Sequence, residues 1–273
     1  MKQNLSFIFM GTPDVAVESL EKLFQSGYVP KLIITAPDRP MGRGLVMTQP
    51  PVKIWADKHG IPTIQPEKLT PEIVDEILNY QADIHIVVAY GKILSEKIIH
   101  TPKYGTLNIH YSLLPRFRGA SPVESAILAN DKETGVAIQS MVYELDAGDI
   151  LTIAKTSIHP DETAPELRIR LSTLGAETLI HTLNNLEKQL QNKQPQSING
   201  IITCGKIKKT NGDITDDTDQ IRWDKYRAYS GWPGVYFFEN GKRIKITKAK
   251  FKDEKFIIER IIPEGKSEVE YKK

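Results

Sequence analysis

Residues 84–89 (I-H-I-V-V-A) leave this chain little choice of architecture. A near-continuous apolar strand has no polar face to turn to water. Both of its faces must be covered, which is the condition of a parallel sheet with helices on either side. Residues 5–10 and 31–36 read as further strands of that sheet. Between them Ala16, Leu20, Leu23 and Phe24 recur at helical spacing until Gly27, with Thr12 expected as N-cap and Pro13 at the first helical position. A helix over 52–59 stopped by Gly60, and another opened by Thr70-Pro71 with Ile73, Ile77 and Leu78 inward, continue the alternation. The pattern predicts an α/β, doubly wound, mostly parallel sheet. His85, inside the apolar strand, reads as a satisfied core histidine rather than a ligand.

The chemistry concentrates in residues 106–119, T-L-N-I-H-Y-S-L-L-P-R-F-R-G. Leu107, Ile109 and Tyr111 alternate with Asn108, His110 and Ser112, so an amide, an imidazole and a hydroxyl share one strand face. Pro115 lacks an N–H and ends the pairing, which puts these side chains at the strand's end. In a parallel sheet that is the carboxyl edge, where α/β proteins hold ligands. Taken alone, Asn108 and His110 read more readily as residues that tie down the following loop than as catalytic ones.

The whole string resembles the signature of the folate-dependent formyltransferases, in which N-x-H-x-S-L-L-P precedes a short linker and a glycine. The resemblance implies Asn108 and His110 as catalytic residues, and Ser112, Leu113, Leu114 and Pro115 as folate-binding. V-V-A-Y-G resembles the family wall around the folate pterin, which adds Val88 and Tyr90. L-D-A-G-D over 145–149 resembles the family's L-D-T-G-D, whose first acid, here Asp146, completes the catalytic set; Ala147 replaces the usual threonine. G-T-P-D at 11–14 resembles the opening of the branch that acts on methionyl-tRNA. So does P-D-R-P-M-G-R-G within the Pro- and Gly-rich segment 37–51, a length of loop that is commonly functional. In that branch the inserted loop reaches the acceptor end of the tRNA, so Arg39 and Arg43 are expected to contact it.

Downstream, capping boxes are expected at Ser121 with Glu124 and at Thr163 with Glu166, each opening a helix, and 136–142 and 150–158 read as strands. Leu167, Leu171, Leu174, Leu179, Leu183, Leu186 and Leu190 form a core-facing stripe. The expected organisation is a catalytic domain over 1–190, a linker over 191–200 and a basic β-rich domain over 201–273. Charge follows the division: residues 1–199 carry a net −3 and residues 200–273 a net +5. A basic tail suits an anionic partner. Arg243, Lys245, Lys248 and Lys250 on the tail's strands are the expected tRNA contacts, together with Lys252. W-P-G-x-Y at 232–236 resembles the start of the family's C-terminal barrel of oligonucleotide-binding type. Family members carry further strands between R-I-K-I and P-E-G-K, so the barrel here is expected to be smaller or incomplete.

Other readings narrow by elimination. Residues 1–14 hold a single glycine where a nicotinamide-binding chain would show G-x-G-x-x-G. The six histidines include no pair at ligand spacing, so no metal is expected. One cysteine, Cys204, permits no internal disulfide. No apolar run is long enough to cross a membrane, and the first residues lack a signal-peptide layout, which leads us to expect a cytoplasmic monomer. The resemblance implies transfer of a formyl group from 10-formyltetrahydrofolate to the amino group of methionyl initiator tRNA. A formyltransferase for a sugar-nucleotide amine, a formyltetrahydrofolate hydrolase and a non-catalytic RNA-binding protein are the alternatives.

Overall fold

The computed structural model describes residues 5–42 and 44–272. They divide into two compact units, one of residues up to 115 with 135–155 and 170–201, the other of 116–134, 156–169 and 202 onward.

The first unit is built on a seven-stranded sheet. In spatial order its strands are Ile150–Ser157, Glu133–Ser140, Thr106–His110, Ile84–Val88, Phe7–Gly11, Leu32–Ile34 and Thr63–Ile64. The five from Thr106–His110 to Thr63–Ile64 run parallel, and Glu133–Ser140 turns antiparallel against Thr106–His110. Every residue of Phe7–Gly11 and of Ile84–Val88 is buried, as two covered faces require. The chain leaves Phe7–Gly11 on one side, passes through Leu32–Ile34 and Thr63–Ile64, and returns to Ile84–Val88 on the other. The strand order therefore reverses between Phe7–Gly11 and Ile84–Val88, and the crevice at their carboxyl ends is where such sheets bind ligands. His85 is 1% exposed with Nδ1 against the Ile98 carbonyl at 3.1 Å, a satisfied core residue.

The apolar side of Thr106–His110 is sealed by the helix Ala164–Asn184. A Cβ on Gly175 would lie 2.9 Å from Ile109 Cγ2 and 3.3 Å from Tyr111 Cε1, so only glycine lets the helix approach this closely. With Ile109 and Tyr111 packed there, alternation leaves Asn108 and His110 on the other side.

Several local expectations need correction. Thr12 does not cap the helix Asp14–Gln25; Pro13 is the N-cap, and the Thr12 hydroxyl instead accepts from Ala36 N–H at 3.3 Å. Phe24 is partly exposed and meets the Trp55 and His59 rings edge-on rather than joining the core. Segment 37–51 carries an exposed two-stranded ribbon, Arg39–Met41 against Val46–Thr48, rather than a featureless loop. Only half of the Thr163–Glu166 box forms: Glu166 Oε2 accepts from the Thr163 N–H at 2.8 Å, but the Thr163 hydroxyl also donates to Oε2, at 2.7 Å, rather than accepting from the Glu166 N–H. The Ser121 box does not form: Ser121 Oγ donates to the Gly205 carbonyl at 2.7 Å, and Glu124 pairs with Arg168 instead.

In the second unit a helix absent from the expectations, Asp219–Ala228, is capped by Thr218 and packs against Pro122–Leu128. The charged residues of D-Q-I-R-W-D-K-Y-R-A hide its apolar period. Beyond it a four-stranded antiparallel meander runs Val235–Glu239, Lys242–Lys252, Lys255–Pro263, Val269–Glu270. Its two long strands share an irregularity between Ile246 and Ala249. That irregularity shifts the alternation by one residue. Ile244 and Ile246 point inward before it and Phe251 after it, so Arg243, Lys245, Lys248, Lys250 and Lys252 all stay outward.

Candidate active site

All three residues expected to be catalytic lie in the first unit and converge at the end of Thr106–His110. Asn108 and His110 project from the same strand face. Asp146 comes from the turn between Glu133–Ser140 and Ile150–Ser157. Its backbone is left-handed at φ 50°, a conformation Asp tolerates better than most residues and one that recurs at functional turns. Gly148 makes the turn possible, because a Cβ there would overlap the Ser140 carbonyl.

The carboxylate of Asp146 collects donors. Asn108 Nδ2 approaches Oδ1 at 3.5 Å, and His110 Nδ1 lies 3.6 Å from Oδ2. The latter is an ion-pair separation rather than a hydrogen bond. His110 is 5% exposed, while Asn108 is half-buried, so the amide reaches the crevice and the imidazole backs it. Asp149 points elsewhere: its carboxylate pairs with Lys193 at 3.0 Å and its carbonyl accepts from Ser140 N–H. Of the two acids in L-D-A-G-D, only Asp146 faces the imidazole.

The expected folate residues lie at or just beyond the carboxyl ends of two neighbouring strands of the same unit. Val88 is the last residue of Ile84–Val88 and Tyr90 lies two residues on, next to the strand that carries Asn108. Ser112 and Leu114 are buried, whereas Leu113 and Pro115 are half-exposed, and the Leu114–Pro115 bond is cis. Burial pushes the Tyr90 hydroxyl up to about 12, so it remains a neutral donor, and it has no hydrogen-bond partner among the described residues.

The expected tRNA contacts are distributed elsewhere. Arg39 is exposed on the ribbon and pairs with Glu67. Arg43 lies outside the described residues. In the second unit the Arg243 guanidinium sits 5.3 Å from the centre of the Tyr236 ring, and Lys245 is exposed. Lys248 and Lys250 share one acid, Glu259, at 3.2 and 2.7 Å. That acid cancels part of the positive face.

Two glutamines were missed. Gln139 stands opposite Asn108 in the strand register, is 1% exposed and donates to Asp146 Oδ1 at 2.9 Å. An amide inside the apolar run V-A-I-Q-S-M was the available signal. Gln196, in the segment expected to be linker, donates to the carbonyls of Asp146 and Gly148 at 2.8 Å each. Nothing in its polar surroundings marks it.

A family model described as "Formyl transferase" matches residues 3–183, and one described as "Formyl transferase, C-terminal domain" matches residues 206–269. A curated relative, the methionyl-tRNA formyltransferase of Geobacter metallireducens, is 41% identical over 249 residues, covering 89% of this chain and 79% of that one. Among solved structures, a methionyl-tRNA formyltransferase from Clostridium thermocellum superposes with a TM-score of 0.68 at 17% identity, over 95% of this chain and 98% of that one. A sugar N-formyltransferase from a Shewanella species also gives 0.68, at 18% identity, over 90% of this chain and 98% of that one. At such identities the two likenesses show the fold alone.

Proposed function

The chain belongs to the formyl transferase family, and from that premise we propose that it transfers the formyl group of 10-formyltetrahydrofolate to the amino group of methionyl initiator tRNA. The observation that carries this reading is the convergence of an amide, an imidazole and a carboxylate at the sheet's carboxyl edge. Formyl transfer to an amine is acyl transfer. The attacking amine must be unprotonated, and the tetrahedral intermediate places negative charge on the former carbonyl oxygen. Donors fixed in advance toward that oxygen lower the barrier. Asn108 offers an amide N–H from the half-buried position, and His110 offers a second donor behind it. Asp146, facing Nδ1, holds the imidazole in one orientation and stabilises positive charge on it as the amine's proton leaves.

The donor's binding site fits the residues present. A buried, unpartnered Tyr90 hydroxyl in a cluster with the apolar Val87, which pairs with Asn108 across the strands, offers a polar ring one donor and an apolar wall. The Ser112–Pro115 backbone follows directly from the strand that bears the catalytic residues.

The choice of acceptor rests on the methionyl-tRNA formyltransferase relative, on the Arg39 ribbon and on the basic outer face of the meander. A direct test offers labelled formyl donor to charged initiator tRNA, to an amino-sugar nucleotide and to water side by side. Label should appear on methionyl-tRNA. Label found only on the sugar or only as formate would refute the assignment of acceptor.

A further inference from the structure

We infer that Gln139 and Gln196 are positioning residues that turn one oxygen of Asp146 toward His110. The inference rests on the proposed role of Asp146 and adds two residues to it.

The carboxylate needs holding. Asp146 follows the exposed residues Tyr143, Glu144 and Leu145 on a turn, and a side chain there keeps two free torsions unless something ties it. Gln139 supplies the tie, donating to Oδ1 at 2.9 Å from a rigid strand position opposite Asn108. With Oδ1 taken by Gln139 and approached by Asn108, Oδ2 is the oxygen directed at the imidazole.

Gln196 fixes the other variables. Its two amide protons are directed at the carbonyls of Asp146 and Gly148, pinning the turn on both sides of Ala147. The same nitrogen lies 3.4 Å from Gln139 Oε1. The two ends of a glutamine amide have nearly the same shape, so neighbours decide which end faces where. An amide oxygen facing Oδ1 would be repelled by the carboxylate, which leaves the Gln139 NH₂ on that side and Oε1 toward the Gln196 nitrogen. Gln196 is itself anchored, because Gln194 and Ile150 exchange both backbone hydrogen bonds, at 2.8 and 2.9 Å. The choice of amides also has a reason. Arg or Lys would hold the carboxylate as well, but would compete with the imidazole for its charge. A neutral donor steadies the anion and leaves that charge available to His110.

The test is a double-mutant cycle on the full chain, read on whichever acceptor the wild-type enzyme uses, water included, so that a wrong acceptor assignment leaves it intact. Gln139→Leu and Gln196→Ala should each lower kcat roughly tenfold to a hundredfold, the usual result of slight misplacement, with KM for the formyl donor within about twofold. In an Asp146→Asn background neither change should cost more, since both act through that carboxylate. Gln139→Glu adds a readout that a structural role would not move. Its acid can donate only when protonated, so activity relative to wild type should recover on acidification, up to about tenfold per pH unit. Single variants with wild-type kcat, losses that simply add to that of Asp146→Asn, or a Gln139→Glu profile parallel to wild type would each overturn the inference. Melting temperatures of the variants separate misfolding from mispositioning, and Gln139→Glu, nearly isosteric, serves where Gln139→Leu fails to fold.

Discussion

Acid should destabilise the fold, and His85, next to the strand Thr106–His110, should be responsible for a measurable share. His85 is 1% exposed, and its backbone N–H donates to the Gly105 carbonyl at 3.1 Å, immediately before Thr106–His110. Burial depresses its pKa to about 4 from 6.5, against a smaller upward pull from the Ile98 carbonyl. Between those values the unfolded chain holds a proton that the folded one refuses. The corresponding stability is complete above about pH 6.5 and drains away as pH falls toward about 4. Two and a half pH units at 1.36 kcal/mol each would reach about 3 kcal/mol, most of it gone by about pH 4.5. His85→Met removes the titration. It also removes the ring's contact with the Ile98 carbonyl, a loss of about 1 kcal/mol at neutral pH. Thr106 Oγ1 still approaches that carbonyl at 3.4 Å. Urea unfolding of both proteins across the acid range should therefore show a crossing. Wild type is the more stable at about pH 7 and the variant the more stable near about pH 4.5. Stability curves that stay parallel from neutral to acid would refute the reasoning, because a depressed histidine cannot be present without that slope.

Three further outcomes follow from the site and the basic face. Asn108→Ala should lower turnover by about 10²- to 10³-fold in single-turnover formylation with little change in melting temperature, and turnover within about twofold of wild type would remove the oxyanion assignment. Asp146→Asn should abolish most activity while Asp149→Ala keeps most of it, because Asp149 faces Lys193 rather than His110; the reverse order in steady-state kinetics would misplace the acid. On the meander, Lys245→Ala should reduce the salt slope of tRNA binding by about one, and Lys250→Ala by less because Glu259 already offsets it, whereas Glu259→Gln should tighten binding. Salt-series affinities with identical slopes for all four proteins would mean that this face does not meet phosphate.

What the sequence determined by itself was the class of sheet and the sharing of one strand face by an amide and an imidazole. Apolar runs at 5–10, 31–36 and 84–89 can be satisfied only by cover on both faces, and period-two alternation at 106–112 assigns Asn108 and His110 to one side whatever the rest does. Such constraints are local, so a single chain reveals them. Capping at Thr12 and Ser121 was misread because a hydroxyl takes the best partner in space: Ala36 claims the first and Gly205 the second. The surroundings of the carboxylate were beyond local reading for the same reason. Gln139 and Gln196 stand 7 and 50 residues from Asp146, and only the register of the Glu133–Ser140 strand and the Gln194–Ile150 pairing bring them to it. The basic face combines both levels. Lysines at 245, 248 and 250 are out of phase for a regular strand, and the irregularity between Ile246 and Ala249 decides that they share one side. Residue types fix which chemistry is available; distances across the fold decide which groups meet to perform it.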